Sequence, residues 1–238
     1  MTVPRNLPFH AFAQDMRTDH VRDELRTDWS MVVLYRWPGV ALAWLLARAG
    51  IGPVGATAIG FVLALTLPIQ AMWLPMAWAT WAVALTAALF QALDCADGTL
   101  ARTTGRSSVL GADLDYFAGM AQWPLLYSAI GLLADRTFET GFAWTALGAG
   151  AGAARLLARL VREQVAVRSA QAAGDSRPMG LLQMPAVFLA GISGLIPFLA
   201  LFGDWLGVAV WCLMVYSLLD IGEGLLPLLR RDYGRTSD

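Results

Sequence analysis

The sequence has little charge, little cysteine and no lysine. Only 15% of its 238 residues are charged, where a soluble domain carries about 25%. The scarcity is uneven, since no charged residue falls between Arg48 and Asp94. A membrane-spanning helix takes about 20 apolar residues. That run holds two spans and is too long for one buried helix of a soluble domain. An ordinary soluble globule, a disordered chain and a secreted disulfide scaffold do not fit. The two cysteines, Cys95 and Cys212, both fall in apolar segments, so no disulfide is expected. The two histidines, His10 and His20, stand in a polar N-terminal stretch too sparse for a metal site and read as solvated. A net charge of −1 gives no bulk attraction to nucleic acid. Residues 1–30 interleave arginines with acids and lack the short apolar core of a signal peptide. The absence of lysine carries no functional message.

What is present is apolar: 57% of the chain by the broad count. The pattern predicts an all-α integral membrane protein with six transmembrane helices preceded by an N-terminal interfacial helix. The spans run over Val54–Trp73, Met76–Leu93, Leu114–Ala134, Thr140–Ala158, Met179–Phe202 and Trp205–Leu229. Leu74-Pro75, Asp135-Arg136 and Gly203-Asp204 mark reversals. The organisation is then a polar segment over 1–30, a juxtamembrane helix over 31–50, a helical membrane domain over 51–230 and a tail over 231–238. With six spans, every arginine except Arg136 falls on one face of the membrane. Positive charge stays cytoplasmic, which puts both termini and the loops after the second and fourth spans on the cytoplasmic side of an inner or plasma membrane. Making Met31–Ala49 a span would send the N-terminal arginines to the other side, so the interfacial placement is preferred.

The segment joining the second and third spans carries the chemistry. It reads Leu93-Asp-Cys-Ala-Asp-Gly-Thr-Leu-Ala-Arg102 and then Gly111-Ala-Asp-Leu-Asp-Tyr-Phe-Ala-Gly119. Carboxylates at membrane depth are costly unless paired or liganded, which makes them functional candidates. Asp94, Asp97, Gly98 and Ala101 share one helical face, and Gly111 and Asp115 lie one turn apart on the next helix. The short link Thr103–Arg106 turns the second helix back along the first, so three carboxylates converge at the cytoplasmic surface. Clustered carboxylates repel unless a cation neutralises them. Oxygen-only ligands suit Mg²⁺ or Mn²⁺ (or Ca²⁺) rather than Zn²⁺. The plainer alternative is that these acids pair with Arg102 and Arg106 in a cytoplasmic turn.

The pattern D-x-x-D-G-x-x-A-R, eight residues, then G-x-x-x-D resembles the signature of the CDP-alcohol phosphotransferases, integral membrane enzymes of phospholipid synthesis. Asp94, Asp97, Gly98, Ala101, Arg102, Gly111 and Asp115 fill every fixed position except the last. The resemblance extends weakly to Gly52-Pro-Val-Gly-Ala-Thr57. It implies that Asp94, Asp97 and Asp115 ligate a divalent metal that binds the pyrophosphate of a CDP-linked lipid donor, typically CDP-diacylglycerol. It further implies that Gly98, Ala101, Gly111 and Thr57 border the donor and that Arg102 holds its phosphates. An alcohol acceptor attacks the β-phosphorus and CMP leaves. The signature's final aspartate, assigned the role of general base, is here Gly119. The base then comes from elsewhere, or the chain binds nucleotide or lipid without turnover, or the glycine is an introduced substitution. Asp113, about 200° round the helix from Asp115, is a poor replacement and is expected at the headgroups or paired with Arg106.

Arg155, Arg159 and Arg162 share a face of the fourth span and suit a phosphate on the acceptor, Arg155 most of all. The alternative is a collar against anionic headgroups. Arg177 is a weaker candidate for the same task. Asp220 and Glu223 are expected to pair with the arginines. Trp29, Trp37, Trp73, Trp78 and Trp205 form an aromatic belt. Gly148, Gly150, Ala151 and Gly152 suit close helix packing, within the chain or in a homodimer. A small transporter is disfavoured because the acids cluster at one surface and no internal repeat is present.

Overall fold

A computed structural model describes residues 6–171 and 191–235, with side chains over 6–164 and 191–225. All regular structure among the described residues is helical. Two short helices, α1 (Phe9–Ala13) and α2 (Asp19–Thr27), precede α3 (Trp29–Ala49), which contains a π-helical stretch over Val32–Arg36. Then come α4 (Pro53–Trp73), α5 (Met76–Thr104), α6 (Val109–Phe138) and α7 (Ala143–Gln171). Two 3₁₀ segments, Ser193–Leu201 and Gly203–Trp205, lead into α8 (Leu206–Arg235).

Among the described residues, five helices are long and apolar enough to cross a membrane: Trp29–Ala49, α4, α5, α6 and Gly203–Leu225. The chain is thus an all-α membrane protein, but the six expected spans are not reproduced. α7 falls short because it carries Arg155, Arg159, Arg162 and Glu163. The expected span Met179–Phe202 lies partly outside the described residues, and its described end is the 3₁₀ segment. Length and composition also admit α3 as a span, where charge counting favours an interfacial helix. Arg36, which stands inside α3, is 5% exposed and pairs with Glu24. One face of α3 packs along α5, where a Cβ on Gly39 would fall 2.6 Å from that of Cys95.

Local chemistry sets the helix ends. Gly105, at φ 64°, stops α5 in the left-handed conformation, and the Ser108 hydroxyl caps α6 by accepting from the Gly111 amide at 3.0 Å. The link is as short as expected and reverses the chain. The later reversal is displaced: α6 runs through Asp135-Arg136 to Phe138 and turns at Glu139 and Gly141, both at positive φ. Asp135 is a cap instead of a turn residue. It is 4% exposed and accepts from the amides of Trp144 and Thr145 and the hydroxyls of Thr140 and Thr145.

The core lies between α4, α5, α6 and α8, with Leu67, Val83, Tyr127, Ile130, Leu133 and Leu213 buried. α7 packs on α6 and α8. The small residues of α7 make this possible. A Cβ on Gly148 would sit 2.4 Å from the Tyr127 carbonyl oxygen, and one on Gly152 would sit 2.6 Å from Pro124 Cα. Gly148 and Gly152 are therefore used in packing within the chain. The tryptophans Trp37, Trp73, Trp78 and Trp205 are exposed, as an aromatic belt requires.

Candidate functional site

The signature residues come together as their spacing requires. α5 is continuous through Asp94, Asp97, Gly98, Ala101 and Arg102, so these residues share one face, and α6 brings Gly111 and Asp115 opposite. Asp94, Asp97, Asp115 and Thr57 line a recess of about 10 Å³, about the smallest space that admits one water. Asp94 and Asp115 both line it. Asp97 is 5% exposed and accepts the Thr57 hydroxyl at 2.5 Å. Two carboxylates this close repel unless a proton or a cation lies between them. Asp97 has a partner in Thr57, and among the described residues no three His, Cys, Asp or Glu side chains are gathered closely enough to hold an ion.

Larger cavities open on the two sides of this recess. One, of about 190 Å³, is lined by Thr57, Asp97, Gly98, Ala101, Arg102 and Gly111. Five of these positions carry small or short side chains on a helix face, so a ligand approaches the backbone closely. The other, of about 230 Å³, is lined by Asp94, Gly119, Arg155, Arg159 and Arg162, with Gln91 and Gln122 deeper along α5 and α6. Asp115 lines both.

Gly119 faces the second cavity, and a Cβ built there meets nothing within 4 Å. Position 119 thus borders open space. Asp113 is exposed and lines neither cavity, as its angular position predicts.

The arginines are engaged rather than free. Arg155 pairs with Asp220 and lies over the rings of Tyr216 at 4.8 Å and Trp123 at 5.4 Å. Arg162 pairs with Asp220 and lies 3.9 Å from Glu223, so the expected pairing of these acids with arginine holds. Arg159 lies over Tyr116 and 3.4 Å from Glu163. The expected collar and the expected phosphate site thus share the same residues. Arg177 lies outside the described residues.

Sequence reasoning missed the N-terminal contribution. Asp15 is 6% exposed and accepts from Arg102 at 2.7 and 2.8 Å and from the Thr99 hydroxyl at 2.8 Å. Arg102 therefore borders the smaller of the two cavities while tied to Asp15. Burial pushes the Asp15 carboxyl up, but the bonds from Arg102 and Thr99 and the nearby charges of Arg102 and Arg36 outweigh it and hold it below its ordinary range. Asp28 also lines the arginine-side cavity. It accepts the Ser193 hydroxyl at 2.7 Å, and burial raises its carboxyl above the ordinary range. The only sequence signal for Asp15 was an acid in a segment rich in both charges. His10 and His20 are exposed, His20 with its ring nitrogen 3.2 Å from Arg36.

No protein-family model matches the chain, and no curated protein is significantly similar to it.

Proposed function

We propose that the protein is a membrane phosphotransferase of phospholipid synthesis, taking a CDP-linked lipid donor, CDP-diacylglycerol by preference, and a small alcohol acceptor. The observation that carries this is Asp115, which lines two cavities: one bordered by the small residues of the signature, the other by three arginines. A group-transfer enzyme with two substrates needs that arrangement, with the reacting atoms meeting at the shared wall. The reading completes the fold as six spans with α3 at the interface. Arginine distribution puts the site and both termini on the cytoplasmic face.

The donor's nucleotide lies against Thr57, Gly98, Ala101 and Gly111, with Arg102 beside its phosphates. The acceptor enters from the Arg155 side. Its hydroxyl oxygen bonds to the β-phosphorus, the bond from that phosphorus to the bridging oxygen breaks, and CMP leaves with that oxygen. The hydroxyl proton passes to solvent, because no carboxylate stands at Gly119. The oxygen donors of Asp94, Asp97 and Asp115 suit Mg²⁺ or Mn²⁺ in kind, and the Thr57 hydroxyl engages only one oxygen of Asp97. When bound, such an ion neutralises the acids and the diphosphate.

Gly119 favours a second reading, a binding protein that holds nucleotide or lipid without turnover. CMP release from CDP-diacylglycerol with Mg²⁺ or Mn²⁺, over a panel of alcohols, separates the two. Metal- and acceptor-dependent CMP that is lost in Asp94→Asn supports the enzyme. Donor binding without CMP under any acceptor establishes the second reading. Absence of donor binding sinks both.

A further inference from the structure

Two buried amides on the acceptor side have no part in the chemistry above. Gln122 is 0% exposed, and neither its Oε1 nor its Nε2 meets a protein partner. Gln91 is 3% exposed, and its Nε2 is likewise without one. Both line the arginine-side cavity. Their register explains this: Gln91 precedes Asp94 by one turn of α5, and Gln122 follows Gly119 by one turn of α6. The pair lies past the acids on the side away from the α5–α6 turn, where the reacting hydroxyl's neighbours would fall.

A buried amide without a partner is destabilising, and native proteins rarely keep one. Leucine or methionine would fill either position without that cost. A primary amide both donates and accepts, which matches a hydroxyl; it adds no charge to attract an acid or an amine. The cavity, at about 230 Å³, is smaller than the roughly 300–1,000 Å³ of drug-sized ligand sites. It suits a compact polar molecule and not a lipid chain. We infer that Gln91 and Gln122 form a hydroxyl-reading subsite, and that the acceptor is a small polyol with hydroxyls beyond the one that reacts. This rests on the phosphotransferase reading for the word acceptor, but the subsite itself is a matter of binding.

The test compares two ligands of equal charge and carbon number, glycerol 3-phosphate and n-propyl phosphate, by calorimetry on the full chain in nanodiscs. The phosphate is included because Arg155, Arg159 and Arg162 line the same space. A site built to bond a hydroxyl rejects the analogue lacking it strongly. The wild type should therefore prefer glycerol 3-phosphate by about tenfold or more. Gln122→Met should bring the ratio to within about threefold while n-propyl phosphate binds as before, which also shows that the variant is folded. Equal binding of the two ligands, binding of neither, or an unchanged preference in Gln122→Met overturns the subsite. CMP release is followed in parallel. A binding preference without CMP keeps the subsite and sinks the transferase; CMP formed equally well from propan-1-ol and glycerol does the reverse.

Discussion

Restoring a carboxylate at position 119 is the sharpest test of the proposed chemistry. In Gly119→Asp the new Cβ has open space, and the side chain enters the cavity beside Asp94 and Asp115. Helix propensity is slightly better than for glycine. The opposing term is electrostatic. Side chains one turn apart have Cβ atoms about 5–6 Å apart, so a carboxylate there repels Asp115 by about 3 kcal/mol at an effective dielectric of about 20. A cation offsets that repulsion. A positioned base accelerates proton transfer by roughly 10²–10⁴-fold, about 2.7–5.4 kcal/mol of barrier. Single-turnover CMP release should rise by that factor in Mg²⁺ or Mn²⁺. Without metal the variant should be less stable than wild type. Gly119→Asn, equal in size but unable to take the proton, should stay at the basal rate. The reasoning fails if a folded, donor-binding Gly119→Asp is no faster than wild type, or if Gly119→Asn is equally fast.

Three further outcomes follow from the same geometry. Arg155→Ala should raise the half-saturating acceptor concentration about tenfold or more, given about 1.5–3 kcal/mol for a charged hydrogen bond, and barely move that of the donor; steady-state kinetics with each substrate varied decide it, and an equal effect on both refutes the assignment. Asp15→Asn removes the partner of Arg102 and should cost about 1.5–3 kcal/mol at neutral pH. Because the Asp15 carboxyl is held below its ordinary range, this stability is present above about pH 4 and is lost as pH falls through the folded-state value; thermal unfolding of both forms should therefore converge at low pH. Gly148→Ala pushes a Cβ to 2.4 Å from a backbone carbonyl and should destabilise by about 1–3 kcal/mol or more, whereas Gly150→Ala, 3.4 Å from the tip of Met214, should be tolerated; equal melting temperatures would refute the packing.

The legible parts of the site are those a single helix dictates. Asp94, Asp97, Gly98 and Ala101 belong to one unbroken helix, so a period of 3.6 puts them on one face without knowledge of any neighbour. Asp113 is excluded by the same angle. Gln91 and Gln122 could have been found likewise, as uncharged polar residues one turn from Asp94 and Gly119, but in an apolar run they drew no notice. The Asp15–Arg102 pair could not be found, since 87 positions separate the partners and many arginines compete for each acid. Arg36 is a like case: it stands in an apolar stretch, and only the fold shows that it is buried beside Glu24.

Composition and period alone determined that this is a helical membrane protein with its acids gathered at one turn, because charge is too costly in a bilayer to be scattered and a helix repeats locally. Which acids face each other, where Arg102 and Arg155 find their counter-ions, and that α7 packs inside the chain were decided by tertiary structure. Those facts depend on which surfaces of separate helices meet, and Pro124 under Gly152 or Asp15 beside Thr99 is settled only when the whole bundle closes.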